Sequence, residues 1–231
     1  MSRFIQLTAT VALVVILAGG AFANGLSLNS VGTRALGMGG AFVGLADDAT
    51  AIYWNPAGLS NVQGGFVGVY VTGISPDANY SWKFDPFGID VTAKTNSKTY
   101  VAPNLFASYQ TGAWTFGLGV YVPAGLGAEW NGADLVQLSG GTELDWMSEI
   151  GVVSFSPAAA YKVSDQFSIG LAVDIFYGMF DLKRPAEVAP NTYAQYSEES
   201  TGTGYGITLG LQYKINEMFT LGGSFKTQKK L

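Results

Sequence analysis

An alternation of apolar and small or polar residues, with a period of two, limits what this chain can fold into. In Gln166–Tyr177 every odd position is apolar while the even positions are mostly small or polar, and Gly204–Lys214 repeats the scheme. A period of two separates side chains onto the two faces of a β-strand. Similar segments, some less regular, lie at about 65–72, 101–110, 115–122, 153–162 and 219–226. The sequence therefore predicts about seven antiparallel strands.

The connections between these strands alternate between short turns and long segments. The turns lie at about 111–113, 163–165 and 215–217. The long segments lie at about 73–98, 123–150 and 181–200, and they carry most of the charged residues. Short turns at one end and long loops at the other are typical of outer-membrane β-barrels, whose strands cross the bilayer in about 9–11 residues.

A soluble β-sandwich is the alternative all-β fold, and it would expose a charged face to water. The non-apolar faces here are mostly Gly, Ala, Ser and Thr, and charged residues make up only 13% of the chain. That share is about half the usual one. The pattern favours a transmembrane antiparallel β-barrel, which must close because every backbone polar group in lipid needs a partner.

The N-terminus has the features of a secretory signal peptide, predicted over residues 1–23. Arg3 precedes the apolar run Val11–Ala18, and Ala21-Phe22-Ala23 fits a cleavage site. The alternative is a membrane-anchoring helix over residues 7–23, which would barely span a hydrocarbon core of about 30 Å. We therefore expect export to a bacterial envelope.

The composition argues against several functions. The chain has no Cys and no His, so it lacks a thiolate metal ligand, the commonest zinc ligand and the commonest general base. A net charge of -5 argues against a nucleic-acid partner. Asp47 and Asp48 are adjacent and so point in different directions, which favours capping or lumen hydrogen bonds over catalysis. We expect no enzyme activity, no cofactor and no metal.

Residues 24–62 are rich in Gly and Ala and precede the alternating strands. Gly37, Gly39, Gly40 and Gly44 superficially suggest a phosphate-binding loop, but no strand precedes them and no Lys-Ser/Thr pair follows. Small residues let backbones pack closely, which suits a compact plug inside a barrel. We therefore divide the mature chain into a plug at 24–62 and a barrel part at 63–231.

Three segments also resemble one known family. TRALGMGGAFVGLADDATAIYWNPAGL (residues 33–59) is similar to the N-terminal hatch of the FadL/TodX family of outer-membrane transporters. Residues 116–130 resemble the family's third strand and its following loop, and residues 155–178 resemble the next hairpin. The resemblance implies a fourteen-stranded barrel in a Gram-negative outer membrane. It also implies passive, hatch-gated transport of long-chain fatty acids or aromatic hydrocarbons, with lateral release at a kinked third strand.

The resemblance assigns three sets of site residues. The hatch motif is Asn55, Pro56 and Ala57. The kinked strand corresponds to about 115–122, where Gly117 and Gly119 are the weak points. The third set is the apolar residues of the ligand-capture loop. Ordinary loop packing is the alternative role for each of them. They are Leu126, Trp130, Leu135, Leu138 and Trp146.

The length departs from the family pattern. Family chains are about twice as long, bacterial barrels have even strand numbers, and the last residues here do not resemble a terminal aromatic strand. We expect the N-terminal part of a longer protein, with about seven of fourteen strands and no transport by this part alone, because half a barrel leaves two edges unpaired. The alternative is an eighth strand that the pattern does not reveal.

The expected partners are a hydrophobic small-molecule ligand and the lipid bilayer with its lipopolysaccharide, and the full-length protein is expected to be a monomer. Three other functions compete with transport of hydrophobic compounds. They are a structural or adhesive barrel, a general porin, and an outer-membrane enzyme such as a lipase, whose catalytic residues would all have to lie outside this sequence.

Overall fold

A computed structural model describes Ser27, Leu28 and residues 31–227, so the predicted signal peptide lies outside the described residues. The strands are β1 (Gly65–Ile74), β2 (Asn79–Phe84), β3 (Ile89–Lys94), β4 (Tyr100–Thr111), β5 (Trp114–Trp130), β6 (Trp146–Lys162), β7 (Phe167–Ala189), β8 (Thr192–Lys214) and β9 (Thr220–Lys226). Seven of them form one antiparallel sheet with the order β1-β4-β5-β6-β7-β8-β9, and β2 and β3 form a separate hairpin. The seven predicted strands and the antiparallel all-β fold are confirmed.

The two faces of the sheet have the polarity expected of a membrane protein. On β7, Leu171, Val173 and Ile175 are exposed, whereas Ala172 and Asp174 are buried. A water-soluble sandwich would bury the apolar set instead. The apolar face is therefore the outer, lipid-facing one, and we call the opposite face of small and polar residues the inner face.

The N-terminal segment, residues 31–62, packs on the inner face. It contains helices at Thr33–Gly37 and Ala51–Trp54 and a 3₁₀ helix at Pro56–Asn61. Apolar residues of this segment form one buried cluster with inner-face residues of β4, β5, β6 and β7. From the segment the cluster includes Val31, Ala35, Phe42, Ala46, Ile52, Trp54 and Leu59, and from the sheet Phe106, Tyr121, Ala158, Ala160 and Ala172.

The long connections contain more regular structure than the sequence indicated. The prediction of a loop at 181–200 is wrong, because β7 and β8 continue as a paired hairpin that turns at Pro190 and Asn191. Strands of 23 residues exceed the 9–11 needed to cross a bilayer, so this hairpin extends beyond the membrane. The hairpin of β2 and β3 occupies much of 73–98, and a 3₁₀ helix at Gly132–Ser139 lies between β5 and β6.

The sheet is open within the described residues, where β1 and β9 each have one neighbouring strand. Closure into a barrel therefore stays a prediction. Among the same residues, no helix has the length and apolar character needed to cross a membrane.

Candidate functional site

The predicted motif Asn55-Pro56-Ala57 lies in buried contact with the inner face. The side-chain amide of Asn55 donates hydrogen bonds to the Val43 carbonyl (2.9 Å) and to the Leu211 carbonyl of β8 (3.0 Å). Its Oδ1 accepts a bond from the backbone N–H of Ala57 (3.2 Å), which caps the 3₁₀ helix that begins at Pro56. One side chain thus fixes the turn and attaches it to the sheet.

Two glycines make this close approach possible. Gly170 of β7 and Gly210 of β8 are paired directly opposite each other and face the motif. A Cβ at Gly170 would overlap the backbone of Pro56 and Ala57, and a Cβ at Gly210 would overlap Asn55 Oδ1. The motif therefore occupies the space that side chains would fill if positions 170 and 210 held any residue other than glycine.

Polar side chains of the inner face complete the docking. Ser168 Oγ donates to the Ala57 carbonyl (3.2 Å). The amide of Gln212 donates to the Gly44 carbonyl (2.9 Å), and its Oε1 accepts a bond from Asn61 Nδ2 (2.7 Å). The bonds to Ala57 and Gly44 satisfy backbone carbonyls of a segment that has little regular structure of its own.

The two adjacent aspartates of this segment have separate partners. Asp48 Oδ1 accepts bonds from the N–H (2.8 Å) and the hydroxyl (2.5 Å) of Thr50, which is local capping of the kind predicted. Asp47 accepts a bond from Arg34 (2.7 Å). Within the described part of the chain, no group of three or more Asp or Glu side chains could hold a metal ion.

Gly117 and Gly119, the predicted weak points of β5, lie where the sheet is regular. Both are paired with β4 on one side and with β6 on the other. A Cβ at Gly117 would lie 2.9 Å from Ile52 Cδ1 of the N-terminal segment, and one at Gly119 would lie 2.8 Å from the Phe106 ring. In this structure the two glycines provide room for neighbouring side chains, and no distortion of β5 occurs at either.

The irregular part of β5 begins immediately after Tyr121. The register between β5 and β6 shifts between Tyr121 and Ala124, around Pro123, which has no N–H to donate. Pairing between β4 and β5 also ends here, with Leu105 opposite Val120. Beyond this point no residue of β4 is paired with β5, and β5 forms single bridges with Ser27 at Ala124 and with Thr95 at Trp130. We call this space, between residues 100–104 and 121–127, the β4–β5 gap.

Side chains and the N-terminal residues bridge the gap in place of a strand ladder. Asn104 Oδ1 accepts a bond from the Val122 N–H (3.1 Å), and the Leu28 N–H donates to the Pro123 carbonyl (3.0 Å). The Tyr100 ring occupies the space beside a glycine at position 127, and its hydroxyl lies 3.2 Å from Glu149 Oε1. Pro123 within a strand was the sequence signal for this site.

The predicted ligand-capture residues fall into two places. Trp130, Leu135, Leu138 and Trp146 form a cluster with the buried Val91 and Ala93 of β3. Leu126 lies apart, 61% exposed, and lines a cavity of about 500 Å³. The other lining residues include Tyr100, Ile150, Tyr177, Met179, Phe180 and Glu149.

The sequence matches the family described as outer membrane protein transport protein (OMPP1/FadL/TodX) over residues 14–231. The chain belongs to this family. The predicted family and the outer-membrane location are thereby confirmed. A Neisseria meningitidis serogroup B protein named as an outer membrane protein is 31% identical over 128 residues, which are 50% of this chain and 28% of that protein.

Solved structures of family members share the fold at low sequence identity. The Pseudomonas aeruginosa FadL homologue has a TM-score of 0.70 and 17% identity, with 88% of this chain and 52% of that chain covered. The Ralstonia pickettii toluene transporter TbuX gives 0.67 and 20%, with 89% and 58% covered. The P. putida toluene transporter TodX gives 0.65 and 21%, with 78% and 51% covered. The chain thus spans about half the length of these family members.

Proposed function

We propose that this chain serves the passive transport of hydrophobic compounds, such as long-chain fatty acids or aromatic hydrocarbons, across the outer membrane. The family consists of transport proteins, and two of the solved relatives are toluene transporters. Transfer of apolar surface out of water supplies the driving force, about 0.8 kcal/mol for each buried methylene. Binding of this kind requires no covalent chemistry.

The docking of Asn55-Pro56-Ala57 against two inner-face glycines is the observation that carries the proposal. It supports a hatch, because it attaches the N-terminal segment to the side of the sheet that would line a barrel. A segment in that position would block a direct aqueous path. A general porin, in contrast, keeps an open and charged lumen.

Lateral release is proposed at the β4–β5 gap and not at Gly117 and Gly119. Backbone pairing between the two strands ends at Leu105 and Val120, so the Asn104–Val122 bond and the backbone bond from Leu28 to Pro123 close the sheet beyond them. A hydrophobic molecule could pass there from the inner face into lipid if those contacts moved. The cavity beside Leu126, at the outer end of the gap, is the proposed first capture site.

The test is uptake of labelled oleate and toluene by cells that make the protein in the outer membrane. Because the chain has no Cys, the double variant Asn104→Cys, Val122→Cys can be oxidised to lock the gap and reduced to release it. Lateral release predicts that oxidation stops uptake and that reduction restores it. Equal uptake in both states would contradict lateral release, and a large steady ohmic current in single-channel recordings would contradict the hatch.

A further inference from the structure

A buried carboxylate connects three strands beside the β4–β5 gap. Asp174 of β7 is 1% exposed and accepts hydrogen bonds from Tyr121 of β5 (2.9 Å), Ser156 of β6 (2.6 Å) and Thr208 of β8 (2.9 Å). Burial of a carboxylate is unfavourable unless such bonds compensate for the lost water. Asp174 therefore holds the hydroxyl of Tyr121 in place against β7.

The ring of Tyr121, on β5, packs against β4 and against the N-terminal segment, at the place where β4 and β5 must separate for lateral release. It stacks on Phe106 of β4, with centroids 5.4 Å apart and planes inclined by 18°. It also meets the edge of the Tyr53 ring, in the N-terminal segment, at 5.4 Å and 78°. Tyr121 is moreover the last residue before the register of β5 shifts. One side chain thus contacts β4, the N-terminal segment and, through Asp174, β7.

We infer that Tyr121 is a positioning residue for the lateral opening and that Asp174 holds it in place. With its hydroxyl fixed, the Tyr121 ring keeps Phe106, and with it β4, against β5 at the edge of the gap. Movement of Tyr53 would remove the inner neighbour of the ring, so the position of the N-terminal segment and the width of the gap are coupled. The inference rests on the lateral release proposed above.

Spin labels can measure the gap directly, because two introduced cysteines would be the only ones in the chain. Val101 and Leu126 lie on opposite sides of the gap and are 63% and 61% exposed. Tyr109 and Phe116 are exposed register partners in the regular part of the same two strands, so they form the reference pair. Dipolar EPR would measure the distance between the two labels of each pair, in protein folded in outer-membrane vesicles.

Tyr121→Phe is the main variant, because it removes the hydroxyl and retains the ring. Asp174→Asn is the second, since it keeps the shape but replaces one of the two acceptor oxygens with an NH₂ donor. Thr115→Val is the matched control, because Thr115 is a buried hydroxyl residue on β5 whose Oγ1 has no hydrogen-bond partner among the described residues. We expect Tyr121→Phe to lengthen the gap distance by up to about one strand spacing, 4.8 Å. Asp174→Asn should produce a smaller lengthening, and Thr115→Val none.

Two results would overturn the inference. One is a wild-type gap distance in both Tyr121→Phe and Asp174→Asn. The other is an equal change in the gap pair and the reference pair, which would mean that Tyr121 only stabilises the sheet. Uptake in the same cells separates this inference from the proposed function. A widened gap with unchanged uptake would support the positioning role of Tyr121 and contradict lateral release.

Discussion

Replacing Gly210 with alanine should detach the N-terminal segment from the sheet without disturbing the sheet itself. The new methyl group would overlap Asn55 Oδ1 and lie 2.7 Å from Ala57 N and 2.9 Å from Pro56 Cδ. These atoms belong to a capped turn that is buried, so the neighbours cannot yield by a simple side-chain rotation. The turn must therefore move away from β8.

The energetic cost follows from two contributions. Overpacking by a methyl group costs about 1–3 kcal/mol. A displaced Asn55 also loses its bonds to the Val43 and Leu211 carbonyls, each contributing about 1 kcal/mol. A total of about 3 kcal/mol, at the lower end of this sum, would raise the undocked fraction roughly a hundredfold.

Trypsin cleavage after Arg34 measures that fraction in the purified protein, because cleavage within a docked segment follows the population of the open form. We expect Gly210→Ala to be cleaved about a hundred times faster than wild type at unchanged sheet content, if the cost is about 3 kcal/mol. Gly223→Ala is the matched control, because a Cβ there meets nothing within 4 Å, and it should behave as wild type. Equal cleavage rates for the two variants would refute the steric reasoning.

Three further changes test other contacts. Gln212→Leu leaves backbone carbonyls of the N-terminal segment unpaired, so the same trypsin assay should show docking weakened by about 2 kcal/mol. Hydrogen bonding to Glu149 raises the pKa of Lys98 above its ordinary 10.5, so the stability that Lys98→Met removes should be constant from neutral pH up to that ordinary value. It should vanish as the pH rises through that raised pKa, and thermal unfolding should put it below about 1 kcal/mol because the pair is partly exposed. Trp130→Ala should make the segment between β5 and β6 easier to cleave in limited proteolysis without weakening oleate binding. Leu126→Ala should weaken oleate binding without changing that cleavage.

The strands could be predicted from the sequence because lipid and the packed interior impose opposite demands on successive residues. That alternation holds for the membrane-crossing part of β7 but fails at 181–189, where both faces of the hairpin carry polar residues. A segment of polar residues is as typical of a loop as of a strand in water. The extension was therefore missed where the membrane no longer dictates the pattern.

The candidate site was only partly predictable, because it depends on which strands are neighbours. The motif at Asn55 could be identified by its residues, but its docking onto Gly170 and Gly210 requires the sheet order. The gap has the same origin, since a register shift is a property of two strands and Pro123 was its only local sign. Asp174 was visible as a charge within an alternating strand, yet its three hydroxyl partners come from three other strands.

The glycine contacts of the hatch motif also bear on how the strands find their alignment. On β8 the nearest residues that share the inner face with Gly210 are Thr208 and Gln212, so a slip of two residues would place a side chain where Asn55 now fits. Lipid cannot prevent such a slip by itself, because a slip of two residues keeps the same side chains on the outer face. The N-terminal segment can prevent it, because it fits only one alignment of the two strands. Seating of this segment and selection of the strand register are therefore expected to be a single cooperative step of assembly.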